Sequence, residues 1–82
     1  SANNLTKVYG SPDPFVATVL DGQGKKLANV NVIFNINGVF YNKITDENGE
    51  ARLNINLQPG KYIITSTFNQ TNIANTVEVK AP

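Results

Sequence analysis

Apolar and polar residues alternate along most of this chain. Val30, Val32, Phe34 and Ile36 are interleaved with Asn31, Ile33, Asn35 and Asn37; Ala51, Leu53, Ile55 and Leu57 with Arg52, Asn54 and Asn56; Tyr62, Ile64, Ser66 and Phe68 with Ile63, Thr65 and Thr67. A period of two belongs to strands with one buried face, and no helix-length window keeps an i, i+3, i+4, i+7 apolar stripe. The pattern predicts strands at Leu5 to Tyr9, Phe15 to Leu20, Val30 to Ile36, from Val39 onward, Ala51 to Leu57, Tyr62 to Phe68 and Ile73 to Lys80. About seven short strands with frequent turns point to an all-β protein, a two-layer sandwich of antiparallel strands.

The punctuation between these runs is equally specific. Gly10-Ser11-Pro12-Asp13-Pro14 stops the first strand, because proline has no N–H to give to a ladder. Asp21-Gly22-Gln23-Gly24, Asp46-Glu47-Asn48-Gly49, Gln58-Pro59-Gly60 and Asn69-Gln70-Thr71-Asn72 supply the other turns. Asn37-Gly38 is the preferred pair for a type I′ two-residue hairpin. It sets Ile36 opposite Val39, Phe34 opposite Tyr41 and Val32 opposite Lys43, so Val39 and Tyr41 are expected on the inner face, and Ile33 and Phe40 on the outer. The expected core is Phe15, Val19, Val30, Val32, Phe34, Ile36, Tyr41, Leu53, Ile55, Tyr62, Ile64, Phe68, Val77 and Val79. Residues 1–4 read as a linker or expression remnant, 5–80 as the domain, and 81–82 as a linker to a next module.

Composition then narrows the chemistry. With 82 residues, 40% hydrophobic, the chain holds one core. Its apolar runs are far shorter than a membrane span, so no membrane insertion is expected. Seven basic residues against six acidic ones leave a net charge of +1, without the basic block that a nucleic-acid binder carries. The thirteen asparagines equal all charged residues together and replace charge as the solvating group. Histidine and cysteine are absent, which removes the commonest general base, the usual zinc ligands, thiol nucleophiles and disulfides. Serine and threonine hydroxyls have no partner to activate them, so the chain is expected not to be an enzyme and to need no cofactor.

Three sets of residues could nonetheless carry a function. Asp46, Asn48 and Glu50 crowd oxygen ligands into one turn, a weak candidate for calcium set against ordinary turn chemistry. Asn4-Leu5-Thr6 and Asn69-Gln70-Thr71 match the N-glycosylation acceptor pattern at Asn4 and Asn69. Ile33 and Phe40, with Ile63 nearby, form a candidate docking patch on the outer face.

The segment Val19-Leu20-Asp21-x-x-Gly24-Lys25-x-Leu27-x-x-Val30-x-Val32, then Phe34-x-Ile36-Asn37-Gly38-Val39-x-Tyr41, resembles the immunoglobulin-like repeats of large surface proteins. It looks most like those of the adhesin-like proteins of methanogenic archaea, with bacterial intimin and invasin domains as more distant relatives. Thr45-Asp46-Glu47-Asn48-Gly49, Leu53-Asn54-Ile55-Asn56-Leu57 and Pro59-Gly60-Lys61-Tyr62-Ile63-Ile64-Thr65 extend the resemblance over Val16 to Val79. Similar Asp-x-x-Gly turns and Pro-Gly-x-Tyr strands occur in carboxypeptidase-regulatory-like and collagen-adhesin B-type domains. The resemblance implies an immunoglobulin-like β-sandwich; the continuous core of alternating inner positions leads to the expectation of a monomer as an isolated domain. Its expected role is a tandem-repeat spacer of an extracellular, cell-surface adhesin-like protein, with neighbouring repeats as its partners. The alternative is an adhesin module whose turns bind a glycan or protein on another cell. Some surface domains carry a Lys–Asn isopeptide cross-link; the inward positions expected for Lys43 and Asn75 suggest the pair, although no acid falls beside them and a lysine snorkelling at the rim is the simpler reading.

Overall fold

The computed structural model describes all 82 residues and contains seven strands and no helix: β1 (Leu5–Val8), β2 (Phe15–Thr18), β3 (Asn31–Ile36), β4 (Val39–Ile44), β5 (Glu50–Leu53), β6 (Gly60–Phe68) and β7 (Thr71–Lys80). Five strands form one sheet in the order β1-β7-β6-β3-β4, and β2 and β5 form a second. The chain begins on the smaller sheet, where Ser1 exchanges two backbone hydrogen bonds with Thr18 and Ala2 bridges Ala17. At Leu5 it crosses to the larger sheet. Residues 1–4, expected as a linker, are therefore tied into the fold.

The expectation of uniformly antiparallel strands needs correction: β1 runs parallel to β7, Leu5 opposite Val77 and Val8 opposite Lys80. Consecutive strands joined by tight turns must be antiparallel, but β1 and β7 are separated by almost the whole chain, so no turn dictates their direction. The remaining pairs are antiparallel.

The β3–β4 hairpin has the expected register, with Ile36 opposite Val39, Phe34 opposite Tyr41 and Val32 opposite Lys43. Asn37 (φ 54°) and Gly38 (φ 75°) both take the left-handed conformation that a type I′ turn requires. Asn69 (φ 49°) and Gln70 (φ 65°) repeat it, so β7 starts at Thr71 after a two-residue turn rather than the four-residue one expected. β5 ends at Leu53, earlier than the alternation suggested; beyond it Ile55 is still buried although no ladder continues.

The core lies between the sheets and comprises Phe15, Ala17, Val19, Val32, Phe34, Ile36, Ala51, Leu53, Ile55, Ile64, Val77 and Val79. Phe15 and Phe34 meet edge to face across it, centroids 5.8 Å apart and planes at 89°, the arrangement that aromatic quadrupoles favour. Tyr62 and Phe68 are only half-buried against this cluster, and Val30 is half-buried too. Tyr41, expected in the core, is exposed, as are Val39 and Lys43. Their side chains do point to the inner side, but β4 is an edge strand, and Val39 and Tyr41 line a cleft of about 210 Å³ opposite Leu53 to Leu57 instead of packing into the core.

Thr45, just past β4, is 2% exposed and holds the 27–30 loop. Its Oγ1 donates to the Leu27 carbonyl at 2.7 Å and accepts from the Val30 N–H at 2.9 Å. Gly49 (φ +72°) lies where an added Cβ would stand 2.8 Å from the Val19 carbonyl oxygen and 3.2 Å from the Leu27 nitrogen. Gly38 has open space around it. A side chain at Gly38 therefore meets only backbone strain, so Gly38→Val is expected to cost on the order of 1–3 kcal/mol. Gly49→Ala adds a backbone clash to the same strain and is expected to cost more, which urea melts of the two variants will rank.

Candidate functional site

The two Asp-x-x-Gly turns share one hydrogen-bond pattern. Asp21 Oδ1 accepts from the N–H of Gln23 and Lys25, at 2.8 and 2.9 Å. Asp46 Oδ1 accepts from the N–H of Asn48 and Glu50, at 2.8 and 3.1 Å. Each carboxylate thus satisfies the backbone of its own turn, the ordinary use of aspartate there. Asp46 Oδ2 is also held by Arg52 at 2.7 Å, and the other arm of that guanidinium grips Glu50. The Asp46 carboxyl consequently sits below its usual pKa, chiefly through the Arg52 hydrogen bond and then the Glu50 N–H. Of the calcium candidates, Asp46 and Glu50 are both engaged by Arg52; Asn48 contributes its N–H to the same turn.

The isopeptide pair is not brought together. Lys43 lies on the exposed edge strand β4 and Asn75 on β7, with β3 and β6 between them. At about 4.8 Å per strand they are about 14 Å apart across the sheet, and the register offsets them by a further four residues along it. Asn75 Nδ2 instead donates to the Ala2 carbonyl and to Asn4 Oδ1, both at 3.2 Å. Asn4 Oδ1 also accepts from the Thr76 N–H, which ties the 1–4 segment to β7. Asn69 is exposed at the β6–β7 turn. Both glycosylation candidates are thus at the surface, Asn4 with its carbonyl oxygen already engaged.

Lys7 was missed as an inward charge. It is 4% exposed, and its ammonium donates to the carbonyls of Ile55 at 2.8 Å and Asp13 at 3.1 Å. No carboxylate accompanies it; carbonyl dipoles take the place of water. Its parity with Leu5 was the one sequence signal for an inward side chain.

A cleft of about 310 Å³ opens where the start of the chain, the end of β2 and the β6–β7 turn meet. Ala2, Val19, Leu20, Phe68 and Ile73 contribute to its lining, with Ser66 alongside. The Ser66 hydroxyl has no hydrogen-bond partner, and solvent does not reach it. Ser1, Thr18, Thr67, Asn69 and Thr71 supply polar groups beside these apolar ones, so the lining is mixed. The Asp46–Gly49 turn adjoins through the Val19 N–H, which donates to the Gly49 carbonyl.

On the outer face, Phe40 is 66% and Ile63 62% exposed, while Ile33 is half-buried. Phe40 pairs with Asn35 and Ile33 with Asn42, so Ile33 and Phe40 are diagonal neighbours, as a docking patch requires.

No family model and no curated protein matches this chain. Among solved structures it is similar to part of a carbohydrate acetylesterase from Xanthomonas citri, with a TM-score of 0.64 at 16% identity, over 96% of this chain and 17% of the esterase. The likeness is one of fold. The chain spans about a sixth of the esterase's length. This finding corrects the expectation that the chain is not an enzyme: its fold occurs inside an enzyme, and the lack of His and Cys speaks only for the chemistry of these 82 residues.

The Asp46–Arg52 pair gives a testable pH dependence. Because the folded carboxyl has the lower pKa, its contribution is complete above the ordinary carboxylate value of about 3.9 and is lost as the pH falls through the lowered one. Asp46→Asn should melt below the parent at pH 7, and the gap should close as the pH drops below about 3.9. A gap that persists in acid would assign the loss to the turn's amide contacts instead.

Proposed function

We propose that this chain is an immunoglobulin-like β-sandwich serving as a rigid spacer module of an extracellular, cell-surface protein of the adhesin kind, with neighbouring modules as its partners. The strand order supports the fold reading. β3, β6 and β7 lie side by side as strands C, F and G do in immunoglobulin domains, β4 takes the C′ place, and β2 pairs with β5 as B pairs with E. The sequence resemblance over most of the chain supports the setting.

The observation that carries the spacer reading is where the chain enters and leaves. Ser1 lies beside the start of β7, sharing the cleft with Thr71 and Ile73, whereas the chain departs after Lys80, whose carbonyl accepts from the Tyr9 N–H. β7 has ten residues, so at about 3.3 Å each the two ends stand about 30 Å apart. That displacement runs through a body 40 × 22 × 18 Å. Modules of this shape joined by short linkers extend a chain end to end.

A second reading has its own support: the cleft lies at the end that carries the Asp46–Gly49 and Asn69–Gln70 turns, and the fold occurs within a protein that acts on carbohydrate. Under it, the turns and cleft bind a glycan.

Small-angle scattering on two copies expressed in tandem and measured at dilution separates the two readings from failure of both. A maximum dimension approaching twice the 40 Å of one module is expected for the spacer. A pair that stays compact when Asn42 is replaced by proline in both copies would overturn it. Saturable binding of one defined glycan by the single module on an array would replace the spacer with the second reading.

A further inference from the structure

Strand β4 is exposed at all six positions, and its outer edge faces no other strand. In a two-residue hairpin the residues flanking the turn form a hydrogen-bonded pair, and bonded and non-bonded pairs then alternate. Val39, Tyr41 and Lys43 therefore turn their backbone groups to β3, whereas Phe40, Asn42 and Ile44 turn theirs outward. Three N–H and three C=O groups are left on one edge. The side chains around them are apolar: Phe40 is 66% exposed, Ile44 60% and Val39 47%, with Lys43 the one charge. Exposed edges of this kind are normally blunted by charge, proline or a bulge.

We infer that β4 is an interface for a second copy of this chain, pairing antiparallel about a two-fold axis through Asn42. Register follows from two conditions. Paired residues must present side chains to the same face, and their outward backbone groups must meet. Centring on Asn42 sets Phe40 against Ile44 of the second copy, Asn42 against its equivalent, and Ile44 against Phe40. All three outward residues are then satisfied, each pair exchanging two hydrogen bonds. Centring on Tyr41 carries Ile44 onto the turn glycine, Gly38. Centring on Lys43 sets two ammonium groups face to face.

The side chains of the Asn42-centred register complement one another. On the outer face, Phe40 covers Ile44 of the second copy twice over. On the inner face Tyr41 meets Lys43 of the second copy at the closer, non-bonded positions, where an ammonium can lie over a phenol ring. The net charge of +1 opposes the approach only weakly. The two five-stranded sheets would join into one of ten strands, and the fully exposed β4 edge would be covered.

The test uses the single module. Sedimentation should show a reversible dimer at hundreds of micromolar. Asn42→Pro removes an outward N–H and the exposed side-chain bond from Asn31 but leaves the β3 ladder intact, so it should raise the dissociation constant at least tenfold while the strand signal in circular dichroism is kept. Ile63→Asn, on the same sheet but off the edge, should leave it unchanged. Because the chain has no cysteine, Asn42→Cys should oxidise to a covalent dimer, as bonded pairs place Cα atoms about 5.5 Å apart. This readout stands even if the proline variant fails to fold. A parent that stays monomeric to 1 mM, or efficient cross-linking by Tyr41→Cys in place of Asn42→Cys, would overturn the proposal.

Discussion

The apolar inner side chains of a five-stranded sheet must be kept from water by a facing sheet of two strands. Four strand spacings at about 4.8 Å make the larger sheet about 19 Å wide before side chains are counted. β2 and β5 cover its middle, where Phe15, Ala17, Ala51 and Leu53 meet Phe34, Ile64 and Val77. On one flank the cover is improvised. The segment after β5 brings Ile55 over the core without a ladder, and Lys7 reaches from β1 to bind that segment's backbone carbonyl. On the other flank the same segment stands across a cleft from Val39 and Tyr41, which stay exposed. A buried lysine, an edge strand with uncovered inner residues and a cleft at one end are thus consequences of a single mismatch in width.

Rigidity at the turns comes from the same economy of polar groups. Each Asp-x-x-Gly loop spends one carboxylate oxygen on two of its own N–H groups. The second loop adds the Arg52 fork and presses Gly49 against the Val19 carbonyl, which in turn accepts from Leu27. Thr45 locks the chain between the first loop and β3. Groups that could have coordinated an ion are used to hold backbone. What the loops present outward includes the Gln23 and Asn48 amides and the Glu47 carboxylate, groups suited to hydrogen bonding.

The β3–β4 hairpin was legible because everything that decides it is local: Asn37-Gly38 sets the turn, the turn sets the register, and the register assigns each face. Burial is not local. Tyr41 was assigned to the correct side of the sheet and still lies in solvent, because whether a face is covered depends on how many strands stand opposite. Lys43 follows Tyr41 for the same reason. The parallel β1–β7 pair joins residues from the two ends of the chain, and no periodicity encodes such a match. Ser1 to Asn4 lacks an apolar anchor and so resembles a linker; its hold on the fold is through backbone bonds to Thr18 and through the Asn4 side-chain oxygen Oδ1, which accepts from Thr76 N–H, and hydropathy registers neither. Lys7 was obscured by Val8 and Tyr9, two apolar neighbours that blur the alternation in the first strand.

The crossing of the first strand from one sheet to the other bears most directly on what such a module can do. Because Ser1 and Ala2 pair with β2 while Leu5–Val8 pairs parallel with β7, the chain enters at one end of β7 and leaves at the other. In a spacer, tension between neighbours pulls β1 and β7 in opposite directions along their common axis. The bonds between them are then loaded side by side, and must yield together rather than one after another as in a hairpin opened from its end. The Ser1–Thr18 pair and the Lys7 ammonium, bound to the Ile55 and Asp13 carbonyls, lie on the same load path and tie β1 to the opposite layer. A charge buried without a carboxylate costs stability; placed here, it joins the first strand to the segments before β2 and after β5.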